Sequence, residues 1–279
     1  MSTVLESIIA GVREDLAERE RLTPLPTMAV RARAASGQRP PVDVVPLLHE
    51  AATISLISEV KRSSPSKGRL AEIPNPAELA AAYERAGASA VSVLTEQRRF
   101  GGSLDDLDAV RSRVRIPVLR KDFTVTEYQI HEARAHGADI ILLIVAALSD
   151  QQLADLFHLT RSLGMRALVE THTEDELERA LELADAQLIG VNARNLKTLE
   201  LDLPHAAELV SQVPADRIAI GESAVLSRAD VETYASAGAD AVLVGEALVT
   251  NGSPEQTARE FCSVPRLSLI HISEPTRLL

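Results

Sequence analysis

Short apolar runs rich in β-branched residues recur along most of the chain, and helical patterns separate them. Eight such runs predict buried strands, at residues 54–60, 90–94, 118–120, 140–145, 167–169, 188–191, 217–220 and 241–244. Between them, apolar residues recur at helical spacing, for example at 76–86, 128–136, 150–163, 174–184 and 228–237. Near-continuous apolar strands that alternate with helices indicate a parallel sheet covered by helices. The pattern therefore predicts an α/β fold.

An internal repeat extends this prediction to a closed barrel. Ala-Gly-Ala-Ser-Ala-Val-Ser-Val at 86–93 matches His-Gly-Ala-Asp-Ile-Ile-Leu-Leu at 136–143 and Ala-Gly-Ala-Asp-Ala-Val-Leu-Val at 237–244. Each is typical of a helix that ends at a glycine and leads directly into a buried strand. Eight strand–helix units favour a (β/α)8 TIM barrel over a doubly wound sheet. The absence of a glycine-rich dinucleotide fingerprint after the first strand supports the same choice.

The barrel pattern covers residues 51–262, and different patterns flank it. The preceding segment, 1–50, is predicted to be an N-terminal helical extension that packs on the barrel. Its apolar residues have the spacing of an amphipathic helix: Val4, Leu5, Ile8, Ile9, Val12 and Leu16. The prolines that follow, between 24 and 46, predict short connections. Residues 263–279 fit no further unit and are interpreted as a non-native tail, similar to read-through of vector or adaptor DNA.

Composition narrows the functional classes. The 279 residues carry a formal net charge of −11, which argues against a nucleic-acid or anionic-membrane binder because such a protein needs a basic face. No uncharged apolar run approaches the roughly 20 residues of a membrane-spanning helix. The first residues include the acidic Glu6 and lack the basic segment of a signal peptide, so none is expected. Cys262 is the only cysteine. We therefore expect a cytoplasmic protein without disulfides or a cysteine-based zinc site.

Charged side chains gather where the odd-numbered strands end. Glu59 and Lys61 end the first strand, Lys121 the third, Glu170 the fifth and Glu222 the seventh. Side chains alternate across a strand, and alternate strands of a TIM barrel share an interior layer, so these groups should meet at one mouth. Each one alone could be an ordinary strand-end charge in water. Together they predict an acid–base site in a partly desolvated pocket.

Loops at the same end predict an anion site. TIM barrels often bind phosphate with the loops after strands seven and eight, which here are 221–224 and 245–247. Gly221 and Gly245 would let backbone N–H groups approach an anion, although both would serve equally as turn glycines. The loop 64–68, Ser-Pro-Ser-Lys-Gly, is a further basic candidate. The histidines show no metal-like spacing, and His172, two residues after Glu170, is assigned no role.

Five segments along the barrel carry a more specific signal. They are Ser58-Glu59-Val60-Lys61-Arg62-Ser63-Ser64-Pro65-Ser66, Val118-Leu119-Arg120-Lys121-Asp122-Phe123, Leu168-Val169-Glu170, Gly190-Val191-Asn192-Ala193-Arg194-Asn195-Leu196 and Gly221-Glu222-Ser223. In this order and at barrel spacing, they closely resemble the indole-3-glycerol phosphate synthase family. The resemblance covers about residues 4–260.

The resemblance implies a carbon–carbon lyase of tryptophan biosynthesis. The family converts 1-(2-carboxyphenylamino)-1-deoxyribulose 5-phosphate, an anionic sugar phosphate, to indole-3-glycerol phosphate with loss of carbon dioxide and water, without a metal or organic cofactor. A monomer is expected.

The family pattern also implies roles for individual residues. It assigns the acid of ring closure to Lys121, makes Lys61 the natural cation for the substrate carboxylate, and makes Glu170 the expected partner in dehydration. Which lysine acts in which step is left open. Glu59 would tune Lys61, and Asn192 and Glu222 would hold substrate hydroxyls. The implied binding residues are Ser64, Ser223, Ala224, Gly245, Glu246, Phe123, Leu142 and Arg194.

Two positions depart from the family pattern. The family usually has Ala-Glu-Ser-Gly after strand seven, whereas this chain has Gly221-Glu222-Ser223-Ala224. If the last position requires a positive φ, Ala224 should weaken phosphate binding by about 1 kcal/mol or more.

Three alternative functions fit the sequence less well. Phosphoribosylanthranilate isomerase, a sister barrel, would place a cysteine and an aspartate as its acid–base pair, and Cys262 lies in the wrong place. The related histidine-pathway isomerase would carry aspartates where this chain has Glu59 and Glu170. A non-catalytic phosphate-binding subunit would need neither Lys121 nor Glu170.

Overall fold

The computed structural model describes residues 3–196 and 198–266, and within them eight parallel strands form a closed barrel. The strands are β1 Ser55–Val60, β2 Ala90–Leu94, β3 Val118–Lys121, β4 Ile140–Ile144, β5 Arg166–Thr171, β6 Leu188–Asn192, β7 Ile218–Glu222 and β8 Ala241–Val244. Each strand pairs with the next in parallel, and β8 closes onto β1 with Ser55 opposite Ala241. The predicted TIM barrel and all its predicted strands are confirmed.

Helices cover the outside of the barrel and precede it. They are α1 Val4–Leu22, α2 Leu25–Gln38, α3 Val44–His49, α4 Pro76–Ala86, α5 Leu104–Arg113, α6 Glu127–Ala135, α7 Asp150–Ser162, α8 Glu174–Ala184, α9 Leu203–Val210, α10 Arg228–Ser236, α11 Glu246–Thr250 and α12 Pro254–Phe261. Gly87, Gly137 and Gly238 have φ values of 100°, 83° and 95° and turn the ends of α4, α6 and α10 into the next strand. None of these described helices is long and apolar enough to cross a bilayer.

Side-chain alternation along the strands builds two cores. Ile57, Leu119 and Leu168 point inward and form the packed centre of the barrel. Val91 and Val169 point outward against the surrounding helices. Because each strand is buried on both faces, its sequence is almost continuously apolar. A charged side chain at an inward position can therefore lie only at the end of a strand, where the packed centre gives way to the mouth.

The N-terminal extension contains three helices rather than one. Helix α1 begins with a capping box between Thr3 and Glu6, and the prediction of short connections after it is wrong. Pro24 is the N-cap of α2, and Pro26 lies in its first turn. A proline in the first turn removes no intrahelical hydrogen bond and presets a helical φ, so these prolines start a helix instead of breaking one.

Ion pairs hold α1 across the mouth of the barrel. Arg19 contacts the buried carboxylate of Glu132 on α6 at 2.9 Å. In the middle of the helix, Glu14 and Asp15 contact Arg98, in the loop after β2, at 2.8 Å and 2.6 Å. These contacts place the first turns of α1 over the carboxyl ends of the strands.

The first residues of the predicted tail pack against the barrel. Val264 is buried, and its carbonyl accepts a 2.8 Å hydrogen bond from the backbone N–H of Ile54. Arg266 forms an ion pair with Asp240. Residues 267–279, the rest of that prediction, lie outside the described residues.

Candidate active site

Lys121 lies between two buried carboxylates at the mouth of the barrel. Its Nζ is 3.0 Å from Glu170 Oε2 and 3.3 Å from Glu222 Oε2. The three residues end β3, lie in β5 and end β7, so the structure brings together groups from distant parts of the sequence. Both carboxylates are only 1% exposed. The single Lys121 ammonium can therefore balance the charge of only one of the two carboxylates.

Electrostatics favour an ionised Lys121–Glu170 pair. Burial opposes the charged form of Lys121, but Glu170, Glu222 and Glu59 together raise the pKa of its ammonium. Burial likewise opposes ionisation of Glu170. The charges of Lys121 and His172, with hydrogen bonds from Lys121 and Asn192, nevertheless lower the pKa of this carboxyl.

Glu222 has the opposite tendency. Burial raises the pKa of its carboxyl, and the neighbouring Glu170 carboxylate adds to this effect while Lys121 opposes it. Its Oε1 is buried against Gly190, where a Cβ would overlap the carboxyl oxygen. One carboxyl of the pair is thus biased towards the ionised form and the other towards the protonated form, an arrangement suited to acid–base chemistry.

Glu59 and Lys61 form a second pair at the end of β1. Lys61 Nζ is 2.9 Å from Glu59 Oε1, and the Ser92 hydroxyl donates a 3.2 Å hydrogen bond to Glu59 Oε2. Gly245 packs directly on this pair, because a Cβ there would lie 2.7 Å from Glu59 Oε1. Gly245 is therefore required by close packing against Glu59.

An apolar wall faces the charged groups. Phe123 and Leu142, both predicted there, line the pocket. Phe100 joins them from the loop after β2, with its ring centroid 6.1 Å from that of Phe123. Leu5 and Ile8 of α1 complete the wall. A flat aromatic group would fit between this wall and Lys121.

The opposite side of the pocket is polar. Ser64, Ser223 and Gly245 line it. Glu246 also lies here, with its carboxylate paired to the Lys67 ammonium. Arg194 is half-buried and donates a 2.9 Å hydrogen bond to the Leu199 carbonyl.

The turn after β7 adopts an uncommon backbone conformation. Ser223 and Ala224 have φ values of 65° and 55°, in the left-handed region that favours glycine. The Tyr234 hydroxyl of α10 donates to the carbonyls of Glu222 at 3.2 Å and Ser223 at 3.4 Å. The Tyr234 ring occupies the space where Gly221 lacks a side chain, since a Cβ there would lie 2.5 Å from it.

The sequence interpretation missed three contributors to this site. They are His172, Tyr234 and Phe100. For His172 a signal existed: it lies two residues after Glu170 and so continues the same face of the strand. Among the residues that the structure describes, no three His, Cys, Asp or Glu side chains are arranged to hold a metal ion.

Comparison with known protein families shows to which family the chain belongs. The model of the family described as indole-3-glycerol phosphate synthase matches residues 5–261. The chain belongs to the indole-3-glycerol phosphate synthase family. Relatives with that name include proteins from Micrococcus luteus, 60% identical over 93% of this chain and 97% of the relative, and from Mycolicibacterium gilvum, 59% identical over 93% and 94%. The resemblance stated from the five segments is confirmed.

Solved structures show the same architecture at low identity. A 3-hexulose-6-phosphate synthase superposes with a TM-score of 0.61 and 18% identity over 75% of this chain and 98% of its own. The Salmonella typhimurium 3-hexulose-6-phosphate synthase gives a TM-score of 0.57 and 16% identity over 75% and 97%. At these identities the likeness shows the fold alone. In this chain, helices α1, α2 and α3 precede the barrel.

Proposed function

We propose that this chain converts 1-(2-carboxyphenylamino)-1-deoxyribulose 5-phosphate to indole-3-glycerol phosphate, carbon dioxide and water. Membership of the indole-3-glycerol phosphate synthase family supports the overall reaction. The observation that carries the chemistry is the placement of Lys121 within 3.3 Å of both Glu170 and Glu222 beneath an apolar wall. An acid, a base and an aromatic pocket are thus present in one mouth.

The substrate has a phosphate, an aryl ring and a ring carboxylate, and each would contact a different part of the pocket. The phosphate would lie near Ser64, Ser223 and Gly245, and the aryl ring against Phe123 and Leu142. The ring carboxylate requires a cation, and Lys61 is the one at the end of β1. Ser223 and Gly245 offer a hydroxyl and backbone N–H groups, which suit a phosphate oxygen.

Ring closure needs an acid at the ketone. The ring carbon that bears the carboxylate attacks the ketone carbon, and Lys121 would donate a proton to the ketone oxygen as it becomes a hydroxyl. The bond to the carboxylate then breaks and carbon dioxide leaves, while the bonding electrons restore the aromatic ring. An apolar surround favours this loss because it stabilises the carboxylate less than water does.

Dehydration completes the indole. The new hydroxyl leaves as water after it accepts a proton from an acid, and Glu170 would remove a proton from the adjacent carbon so that the double bond forms. The low pKa of the Glu170 carboxyl keeps it ionised for this role. Asn192, which donates to Glu170, and Glu222 would hold the hydroxyls of the sugar chain.

Indole fluorescence after addition of the carboxyphenylamino substrate tests the proposal. The intact protein should form indole-3-glycerol phosphate, and Glu170→Gln should lower turnover by about 10²-fold or more because it removes the base. Glu208→Gln, the same change on the exposed face of α9, should leave turnover unchanged. A folded wild-type protein that forms no product would favour a non-catalytic phosphate-binding role instead.

We also propose that one chain in the cytoplasm is the functional unit. Helix α1 lines the mouth of the same chain's barrel, which supports a single chain as the unit. The free Cys262 thiol, whose pKa burial raises to about 11, suits a reducing compartment. Light scattering of the purified protein should give the mass of a single chain, and a dimer mass would refute the monomer.

A further inference from the structure

His172 continues the inward face of β5 beyond Glu170, and Glu176 fixes its orientation. Glu176 lies in the first turn of α8, which Thr173 caps. Its Oε2 lies 3.0 Å from His172 Nδ1 and accepts a 2.8 Å hydrogen bond from the His172 backbone N–H. A carboxylate accepts but does not donate, so Nδ1 carries the proton. The other ring nitrogen, Nε2, is thereby directed towards Glu170.

Nε2 of His172 faces the carboxylate of Glu170. The distance from Nε2 to Glu170 Oε1 is 3.5 Å, while the other oxygen, Oε2, contacts Lys121. The imidazole is 11% exposed, and Nε2 is buried and makes no hydrogen bond within the described residues. An unpartnered buried nitrogen next to a carboxylate gains most if it carries a proton.

Three carboxylates from three different elements act on the His172 ring. Glu176 of α8, Glu170 of β5 and Glu222 of β7 all act on the ring. The Lys121 ammonium of β3 contacts the other oxygen of the Glu170 carboxylate. Burial lowers the pKa of the imidazole, but the hydrogen bond to Glu176 and these carboxylates raise it above the ordinary histidine value.

We propose that His172 is a positioning residue that keeps the Glu170 carboxylate ionised and aimed at the reacting carbon. Glu176 holds the ring, the ring faces one oxygen of Glu170 at 3.5 Å, and Lys121 contacts the other oxygen at 3.0 Å. Glu170 is therefore fixed between two cations and remains a base at a pH at which a buried carboxyl would otherwise be protonated. This inference rests on the proposed role of Glu170 and assigns to a further residue the control of its charge.

The pH profile of turnover separates this role from simple packing. His172→Asn removes the imidazolium, so the pKa of Glu170 should rise and the acidic limb of kcat should move up by about one pH unit. The deficit relative to wild type should therefore be larger near pH 6 than near pH 8. His158→Asn, the same change at an exposed position on α7, should leave the profile unchanged. A uniform loss of kcat at all pH values would overturn the proposal.

A second measurement tests the pair without catalysis. Nuclear magnetic resonance titration of the assigned His172 ring should give a pKa above that of an ordinary histidine. Glu170→Gln and Glu176→Gln should each lower this pKa by about one unit, because each removes a facing negative charge. A pKa that neither change moves would overturn the proposal. If the wild-type protein forms no indole product but the titrations behave as expected, the proposed function fails and the His172–Glu170 coupling stands.

Discussion

At the scale of single residues, Ala224 carries the clearest strain near the site. Its φ of 55° lies where an L-residue costs about 1–2 kcal/mol more than glycine. The condition on which the sequence argument depended, a positive φ at this position, is thus met. The neighbouring Ser223, with φ 65°, is held in the same region. Two successive left-handed residues show that the surrounding contacts, rather than local preference, determine the turn.

Ala224→Gly should increase the free energy of unfolding by roughly 0.5 kcal/mol. Relief of the left-handed strain contributes about 1–2 kcal/mol, and the greater freedom of glycine in the unfolded chain removes about 0.4–1 kcal/mol of it. Urea denaturation measures the difference. Ala207→Gly, inside α9, should destabilise instead, by up to about 1 kcal/mol. A loss of stability in Ala224→Gly would show that the turn is not strained.

At the scale of elements, α10 holds the end of β7. The Tyr234 hydroxyl reaches two successive carbonyls of the strained turn, and the missing side chain at Gly221 gives the ring its space. The chain departs from the family pattern at Gly221 and Ala224, on either side of the Tyr234 contact. Gly221 leaves room for the Tyr234 ring, and Ala224 follows the two carbonyls that accept from the Tyr234 hydroxyl. The helix and the strand therefore fix the turn proposed to bind phosphate.

Tyr234→Phe should raise KM several-fold and leave kcat nearly unchanged, because it loosens the proposed phosphate turn without touching Lys121. It should also lower the free energy of unfolding by about 1 kcal/mol through the lost hydrogen bonds. Tyr128→Phe offers a matched control, since the hydroxyl of Tyr128, on α6, donates a 3.3 Å hydrogen bond to the backbone carbonyl of Arg19. The control should affect stability but not KM. Equal KM values for the two variants would contradict this role of Tyr234.

At the scale of the whole molecule, the barrel gathers at one mouth charges that lie far apart in sequence. Lys121, Glu170 and Glu222 come from β3, β5 and β7, and Glu59 from β1. Helix α1, held by Arg19 and Arg98, closes the apolar side of the same mouth. Burial raises the pKa of Glu222, whereas Lys121, His172 and Asn192 lower that of Glu170 despite burial, so the charges that the barrel gathers separate the two central carboxyls.

The barrel and the convergence of the charges were predictable because they follow from strict periodicity. Strands buried on both faces are apolar throughout, and alternation assigns a face to each terminal residue, so Lys121 and Glu170 could be placed together without coordinates. Helix α2 was missed because Pro24 and Pro26 signal a break and a helix start equally well. The contacts of His172 with Glu176 and of Tyr234 with Gly221 depend on side-chain directions across a turn or between elements, which no periodicity encodes.

The kinetics of Lys121→Met test the central claim most directly. Lys121 is proposed as the acid that lies between Glu170 and Glu222, so its removal should lower kcat by about 10²-fold or more. Binding of a reduced, unreactive substrate analogue should weaken far less, because the phosphate and aryl contacts remain, and thermal unfolding of the variant would confirm that it is folded. A folded Lys121→Met protein that retains wild-type kcat would contradict the account.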